Sequence, residues 1–359
     1  MTQTLCYHFA MLRFWPEPTI KLDPKLPLKE KLRKLSIRHF DELIHDQPKE
    51  WLIKNFSKGA TDYPINVALL FRNIIWQTRE RIMEGENQPL KELIRTFWYM
   101  YIKPTLSRAG ALTHETDQYA QLVDSFVFMV KDWRLMEYKD IGFRDDKKSN
   151  RKVGYNANII LFSEKTGHQD YLEEIHQQYQ VSILALGGQP SVLNVEYFVD
   201  ELKKQKIDIR RSFYLFSIVD YDPSGWIIRD AFIDDLHHYG VKNTQVIDLI
   251  HPDMLGPDEV KLSRYRIPET EGMRVKNQAW LKEIHKRDYK NQKYLEEQTK
   301  AGQKVLYGLE AESVSAKRLT AGLELSMVPL IGKTEEALKN FQLKKLNDAI
   351  RELILHKVT

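Results

Sequence analysis

The sequence predicts two folded regions, a mainly helical one followed by an α/β region with a parallel sheet. Apolar residues recur at helical spacing through residues 64–133, the pattern of helices that bury one face. From Asn156 onward, short apolar runs alternate with amphipathic stretches, which is typical of parallel strands joined by helices. With 359 residues, of which 42% are hydrophobic, the chain can bury more than one core.

Charge and cysteine content narrow the class of protein. The formal net charge of +4 permits a nucleic-acid partner without requiring one, and segments 21–38 and 261–304 are rich in Lys and Arg. Cys6 is the one cysteine, so no disulfide forms within the chain. No apolar run reaches the roughly 20 residues of a membrane helix, and the first residues lack the basic start and long apolar stretch of a signal peptide. We therefore expect no membrane partner and a cytoplasmic, nucleoid-associated location, or a nuclear one in a eukaryote.

The helical region is predicted to comprise an N-terminal arm, residues 1–60, and a winged-helix domain, residues 61–155. Prolines interrupt the arm early, and apolar spacing predicts one helix in it at 28–45. The domain is predicted to have helices at 64–84, at 89–102 beginning with Pro89, and at 117–133. Short segments at 135–155 then surround a basic tip from Arg144 to Lys152. Helices followed by a hairpin with a charged tip are typical of a winged helix, whose hairpin lies near the DNA backbone.

Residues 156–359 are predicted to form a parallel-sheet domain with a helical C-terminal extension. Strands are predicted at 159–162, 182–186, 213–219 and 244–250, with helices at 168–179, 192–204 and 226–239. Residues 257–359 are predicted to be mainly helical and polar. In a parallel sheet, functional residues lie at the carboxyl ends of the strands.

Three acidic residues follow two of these predicted strands. Glu164 follows the first strand, and Asp220 and Asp222 follow the third. Alternate residues of an extended segment point the same way, so Asp220 and Asp222 can converge on one cation together with Glu164. Carboxylates suit a hard ion such as Mg²⁺, which would neutralise charge on a phosphodiester. The alternative is that Asp222 only begins a turn and caps a helix.

The acidic residues resemble a known family. Glu164 followed by Asp220-Tyr221-Asp222-Pro223-Ser224-Gly225 resembles the Toprim signature of the topoisomerase VI A subunit, which the meiotic double-strand-break protein shares. The resemblance covers roughly residues 85–325 and implies a Rossmann-like Toprim domain that binds Mg²⁺. Between these motifs the family carries a Gly-rich turn, matched here by Gly187, Gly188 and Pro190. The chain departs from the family at Ser191 and Val195, where an acidic residue and an arginine are common.

A second motif implies a nucleophile. The segment from Arg95 to Met100 is similar to the family's Arg-x-x-aromatic-Tyr motif, and Tyr99 stands at the nucleophilic position. A phenol that attacks a DNA phosphate forms a covalent phosphotyrosine and conserves bond energy for resealing. Arg95 lies four residues earlier on the same helical face and could hold the phosphate. Tyr101 is the competing tyrosine, and packing in an apolar helix is the alternative role for either.

The resemblance also implies the partners. Double-stranded DNA is the expected substrate, bound by a homodimer in which two tyrosines cut two strands. The candidate DNA-binding residues are Lys103, Arg144, Lys147, Lys148, Arg151 and Lys165. An ATPase B-type subunit would complete a topoisomerase, but its binding region is not recognisable, as in stand-alone Mini-A relatives. Near the end of the match, the segment from Gly308 to Glu312 resembles a further motif of the family. Glu310 could approach the metal there, or it could lie at a solvated helix end.

Three alternatives to a DNA-cleaving transesterase remain open from the sequence. A Toprim nuclease would use metal-activated water and leave Tyr99 merely packed. A phosphatase would use Asp220 as nucleophile, although Pro223-Ser224-Gly225 fits that motif poorly. A non-catalytic DNA-binding module of a break-forming complex would bind without cutting.

Overall fold

The computed structural model describes residues 25–58, 65–298 and 304–331, with the isolated positions 343, 346, 347 and 350. The protein is a mixed α/β protein that divides into two compact units. The helical unit comprises the described residues up to Asp146 and the segment Val192–Glu196; the α/β unit comprises Lys147–Ser191 and the described residues from Tyr197 onward. Residues 1–24 and 59–60 of the predicted arm, and Cys6 with them, lie outside the described residues.

Short helices make up the helical unit. They are α1 (Leu28–Lys34), α2 (Lys49–Phe56), α3 (Val67–Met83), α4 (Ile94–Phe97), α5 (Lys103–Ala109), α6 (Glu115–Val127) and α7 (Tyr138–Ile141). Phe97, Phe126 and Phe143 pack edge to face at its centre, with ring centroids 5.1–5.7 Å apart, and all three are buried. Such aromatic contacts join residues far apart in sequence and hold the short helices together.

Two predicted helices have different bounds in the structure. The helix predicted at 28–45 ends at Lys34, because Ser36 takes a left-handed conformation with φ 55°. The helix predicted to begin at Pro89 begins at Ile94 instead. The residues before it donate backbone hydrogen bonds to the end of α7, from Leu90 N to Ile141 O at 3.0 Å, rather than to one another.

The predicted hairpin at 135–155 is wrong for this structure. That segment contains α7, a 3₁₀ turn at Lys148–Asn150 and the two-residue strand β1 (Arg151–Lys152). The backbone of β1 pairs antiparallel with the central sheet, where Arg151 lies opposite Leu184, and so cannot pair within the segment. The side chain of Arg151 is buried and ion-paired to Glu201. A winged-helix hairpin is therefore absent from these residues.

The predicted alternation of strands and helices is confirmed in the α/β unit. Its elements continue as β2 (Asn156–Ser163), α8 (Gln169–Tyr179), β3 (Val181–Ala185), α9 (Val192–Lys204), β4 (Phe213–Ile218), α10 (Pro223–His238) and β5 (Thr244–Asp248). The sheet order is β1-β3-β2-β4-β5, in which only the edge strand β1 is antiparallel. The carboxyl-terminal five residues of β2 and all of β3 are buried, as expected for strands covered on both faces.

A second sheet lies in the region predicted to be mainly helical. After α11 (Pro257–Ser263) come β6 (Arg264–Arg266), α12 (Glu271–Ile284), β7 (Glu296–Gln298), β8 (Lys304–Leu309) and α13 (Ala316–Ile331). The strands form an antiparallel sheet in the order β6-β8-β7. The strands β6 and β7 have only three residues each, all polar or charged, so they show no alternation of apolar and polar residues that could predict a strand. Among the described helices, none combines the length and apolar character that spanning a bilayer demands.

A buried ion cluster joins the last two strands of the parallel sheet to α10. Asp248, at the end of β5, accepts hydrogen bonds from Ser217 Oγ at 2.6 Å and from Arg229 Nη1 at 2.8 Å. Arg287 Nη1 lies 3.0 Å from the same carboxylate. Burial opposes ionisation of Asp248, but Arg229, Arg287 and Ser217 outweigh it and hold its pKa below the usual range. The pairing satisfies charges that would be costly to bury alone.

Replacing Asp248 by Asn should destabilise the protein by about 3–5 kcal/mol near neutral pH, because two arginines lose a buried carboxylate partner, while Arg229 keeps its ion pair with Asp230. The folded-state pKa of Asp248 is lowered, so its contribution is present above the unfolded-state pKa of about 3.9 and is lost as the pH falls through the folded-state value. Urea unfolding from pH 7 to acid should show the gap between variant and wild type closing. Asp234→Asn on α10, a partly exposed position, should change stability by less than about 0.5 kcal/mol. Equal effects of the two variants would contradict the role of the cluster.

Candidate functional site

The candidate acidic site lies at the carboxyl edge of the parallel sheet. Glu164 follows β2, Gly187 and Gly188 follow β3, and Asp220 follows β4. These strands are neighbours in register, because Ser163 at the end of β2 lies opposite both Ala185 and Ile218. The sequence-predicted residues of this site are therefore brought to one edge, as the rule for parallel sheets requires.

The glycine turn closes against the first acidic residue. Gly187 and Gly188 have φ values of 66° and 91°, a left-handed conformation that glycine adopts without strain. The N–H of Gly188 donates to the carbonyl oxygen of Glu164 at 2.8 Å. Pro190 then leads into α9, so these residues connect β3 to the helix.

Tyr221 fixes the direction of the two aspartates. Its side chain is fully buried, and its ring packs against Trp226 and Trp280 at 6.1 and 5.4 Å. Its hydroxyl donates to Gln292 Oε1 at 2.8 Å. Since neighbouring side chains of an extended segment alternate in direction, a buried Tyr221 turns Asp220 and Asp222 away from the core.

Backbone pairing at Tyr221 brings the second sheet to this edge. The N–H of Tyr221 donates to the carbonyl of Leu309 at 2.8 Å, and Leu309 N–H donates back at 3.3 Å. Ala311, two residues later, donates its N–H to Asp220 Oδ1 at 2.8 Å. Glu310 lies between them, exposed and at the end of a strand rather than of a helix.

Asp222 accepts hydrogen bonds on both of its oxygens. Oδ1 accepts from the N–H of Gly225 at 2.7 Å and so caps α10, as the helix-cap alternative predicted. Oδ2 accepts from the hydroxyl of Tyr265, on β6, at 2.6 Å. A carboxylate offers about four lone-pair positions, so these two bonds leave each oxygen able to accept once more.

A lysine provides the local positive charge. Lys165 Nζ lies 3.2 Å from Asp220 Oδ1 and 2.6 Å from Glu312 Oε2. Burial would lower the pKa of Lys165, but the two carboxylates outweigh it and raise that pKa. The ammonium group therefore partly neutralises the acidic edge.

Glu164 is the acidic residue whose charge is least compensated. Burial raises the pKa of its carboxyl above the usual range, and the charge of Asp220 raises it further. Its Oε2 atom is buried without a hydrogen-bond partner. A buried acceptor with no donor is costly, which is expected where a ligand would supply the missing interaction.

The residues suit a hard cation in type but do not form a closed ligand set. Within the described part of the chain, no group of three or more His, Cys, Asp or Glu side chains is arranged to hold a metal ion. Lys165 takes one oxygen of Asp220, and Tyr265 takes one of Asp222. The donors are carboxylates, which Mg²⁺ prefers, and Glu164 keeps an unpartnered oxygen. Lys165 therefore competes with a cation for Asp220, although Lys165 and Ala311 both contact Oδ1 of this carboxylate rather than Oδ2.

The candidate nucleophile lies in the helical unit, on a π-helical turn. Trp98–Ile102 forms this turn between α4 and α5, and the N–H of Lys103 donates to the carbonyl of Trp98, five residues earlier. Pro104 follows and has no N–H to donate, which accounts for the interruption of the α-helical pattern here. The wider turn displaces Tyr99 from regular helical spacing.

Tyr99 and Tyr101 differ in exposure and surroundings. Tyr99 is 45% exposed, and the amine of Lys103 lies 5.1 Å from its ring centroid. Tyr101 packs its ring against Phe97 at 5.1 Å and His45 at 4.7 Å. Tyr99 is therefore the more exposed of the two, while Tyr101 is partly exposed.

Charged groups surround the hydroxyl of Tyr99. Hydrogen bonding to Tyr99 is the main cause that raises the pKa of Arg95. Glu115 has a lowered pKa, because it accepts a hydrogen bond from Lys103, at 2.8 Å, and also interacts with Tyr99. Arg95 and Lys103 could stabilise negative charge on a phosphate or on the phenolic oxygen.

The predicted DNA-binding residues fall into three groups. Arg144 and Lys148 are exposed. Lys103 and Lys165 are ion-paired to carboxylates of the two candidate sites. Lys147 donates to the carbonyl of Leu186, and Arg151 is buried with Glu201, so Arg151 holds the fold together rather than facing a phosphate.

Sequence reasoning missed two residues at these sites. Glu115 lies 16 positions after Tyr99, and Tyr265 lies 43 positions after Asp222. Neither falls within a short motif, and Tyr265 lies on a strand that the sequence did not predict. Gly308, opposite Tyr265 in register, was the one visible signal of a close approach.

The comparisons add no family assignment. No protein-family model matches the chain, and no curated protein matches it. The resemblance to the topoisomerase VI A subunit therefore depends on the motifs and on their arrangement within each unit.

Replacing Glu164 by Gln should stabilise the protein at neutral pH when metal is removed by a chelator. The folded-state pKa of Glu164 is raised, so the favourable state is the protonated one, and stability is lost as the pH rises through that pKa. Gln preserves the shape without the charge. Melting curves in chelator should show the variant melting above wild type at pH 7, with the difference narrowing toward acid pH. A variant that melts below wild type at pH 7 would contradict the strain inferred at this carboxylate.

Proposed function

We propose that the protein cleaves DNA by transesterification in the manner of a type IIB topoisomerase A subunit, using Tyr99 and Mg²⁺. The observation that carries the proposal is the meeting of Glu164, the glycine turn and Asp220 at one sheet edge. This is the arrangement that the Toprim resemblance implies. Under the proposal the α/β unit is a Toprim domain, and the helical unit has the role of the winged-helix domain without a hairpin at 135–155.

The chemistry assigns a role to each residue near Tyr99. The phenol gives up its proton to solvent as its oxygen attacks a DNA phosphorus atom, a Tyr–O–P bond forms, and the bond from phosphorus to the 3′-oxygen breaks. The released 3′-oxygen takes up a proton, and the 5′-phosphate remains on Tyr99. Arg95 and Lys103 hold the phosphate and stabilise its added negative charge.

The acidic edge would bind the cation. Glu164, Asp220 and Asp222 would hold Mg²⁺, which supplies positive charge to the phosphodiester. Lys165 balances the carboxylates without the ion and would turn toward Glu312, its other partner at 2.6 Å, when the ion binds. Lys165 would then remain available for a DNA phosphate.

A double-strand break needs two tyrosines, so the proposal includes a homodimer. Each copy would cut one strand, and the ends would carry 5′-linked protein. Resealing after strand passage would require an ATPase partner of the B-subunit kind. The exposed Arg144 and Lys148 would add contacts to the DNA backbone, which position the duplex without reading its sequence.

Replacing Tyr99 by Phe should abolish covalent protein–DNA product. The test is incubation of the purified protein with labelled supercoiled DNA and Mg²⁺, stopped with detergent. Tyr101→Phe is the matched control, and it should retain the covalent product because Tyr101 packs against Phe97. Cleavage by Tyr99→Phe without covalent product would indicate a nuclease that uses water. Binding without cleavage by wild type would indicate a DNA-binding module.

Replacing Glu115 by Gln should strengthen DNA binding. The Glu115 carboxylate occupies Lys103, whose ammonium a phosphate would otherwise contact. Exposed ion pairs are weak, so releasing Lys103 should raise the affinity for DNA by no more than roughly fivefold. Titration of a fluorescent duplex at fixed salt measures the change.

Asp117→Asn is the matched control for Glu115→Gln. It lies in the same helical turn of α6, is exposed, and changes the net charge equally. It should leave the affinity nearer to the wild-type value. If both variants bind equally more tightly, the effect is one of net charge and not of the contact with Lys103.

A further inference from the structure

Asp222 depends on a residue from outside the parallel sheet for its orientation. The bond from Oδ1 to Gly225 fixes one oxygen through the cap of α10. The other oxygen is held by the hydroxyl of Tyr265, at 2.6 Å. Without that second bond, the carboxylate could turn about its last side-chain torsion, which has a broad energy minimum.

Tyr265 reaches Asp222 through a space that Gly308 leaves open. Tyr265 on β6 and Gly308 on β8 are opposite each other in register. A Cβ atom on residue 308 would lie 2.9 Å from the Oη and Cζ atoms of Tyr265 and 3.0 Å from Cβ of Asp222. Contacts this short force atoms to move, so any larger residue here would disturb the hydrogen bond.

The backbone of β8 is fixed where this contact forms. Leu309 pairs with Tyr221 in both directions, and Ala311 N–H binds Asp220. The short antiparallel sheet therefore contacts both aspartates, one through a backbone N–H and one through a phenol. Residues remote in sequence thus complete the surroundings of the acidic edge.

We infer that Tyr265 is a positioning residue that orients Asp222 toward a hard divalent cation, and that Gly308 is required for this contact. The inference rests on the proposed metal-dependent function. Groups that hydrogen-bond to a ligating carboxylate restrict its orientation, and their loss typically weakens metal binding about 10- to 100-fold. Tyr265 contacts no reacting atom in this role, and its contribution is geometric.

The test measures Mg²⁺ affinity by isothermal titration calorimetry on the full chain, without DNA. Tyr265→Phe should weaken binding about 10- to 100-fold, because it removes only the hydroxyl. Tyr307→Phe is the matched control: its hydroxyl donates to Glu297 Oε2 at 2.9 Å, on the same sheet. This control should bind Mg²⁺ as wild type does, and melting curves establish that each variant is folded.

Gly308→Ala provides a second, independent variant. It should weaken Mg²⁺ binding, and the double variant with Tyr265→Phe should lose less than the sum of the two single losses. Full additivity would overturn the assigned role of Gly308. Because Gly308→Ala leaves the tyrosine intact, it also tests the inference if Tyr265→Phe does not fold.

The outcomes separate the inference from the function on which it rests. Wild-type affinity in a folded Tyr265→Phe protein, or a lowered melting temperature with unchanged affinity, would overturn the inference alone and leave a purely structural tyrosine. Absence of Mg²⁺ binding by wild type at millimolar concentration would overturn the metal part of the proposed function and the inference with it.

Discussion

The acidic edge depends above all on the burial of Tyr221. Its ring lies in a cluster of aromatic side chains, and its backbone pairs with Leu309 in both directions. Burial of one residue in an extended segment forces its two neighbours outward, so Asp220 and Asp222 face the same way. The same pairing fixes β8, which carries Gly308 and Ala311 to the aspartates. The buried residue Tyr221 thus links the parallel sheet to the antiparallel sheet.

Two acidic residues of the α/β unit, Asp248 and Glu164, lie in contrasting surroundings. Asp248 is buried but accepts from Ser217 and is paired with two arginines, so its ionised form is the stable one. Glu164 is less buried, yet its pKa is raised, because burial removes its hydration and Asp220 adds repulsion, and one of its oxygens has no donor. The first arrangement stabilises the fold without a ligand. The second leaves an interaction to be supplied, as is common at sites that bind or react.

The sequence predicted the features that short-range patterns determine. Alternation of apolar runs and helices located β2 to β5, and the rule for parallel strands then located Glu164, the glycine turn and Asp220 at one edge. Prediction failed where pairing between residues far apart in sequence determines the structure. The strand β1 pairs with β3 rather than within a hairpin. The strands β6 and β7 are too short and polar to show the alternation of apolar and polar residues that identifies a strand. Tyr265 was missed because its role exists only through that second sheet.

The two candidate sites have opposite charge: the site at Tyr99 is basic and the sheet edge is acidic. Cleavage of a phosphodiester with a bound metal ion would use a basic site for the phosphate and an acidic site for the ion. Around Tyr99, Arg95 and Lys103 offer cations to a phosphate, with Glu115 as their present counter-ion. At the sheet edge, carboxylates offer oxygens to a cation, and Lys165 is their present counter-ion. At each site an ion pair within the protein already balances part of the charge. Glu115 pairs with Lys103 near Tyr99, and Lys165 pairs with Asp220 at the sheet edge. An overall charge of +4 conceals this pairing, since the chemistry depends on which charges meet and not on their sum. Under the proposed function, a phosphate near Tyr99 would compete with Glu115 for Lys103, and a cation at the sheet edge would compete with Lys165 for Asp220.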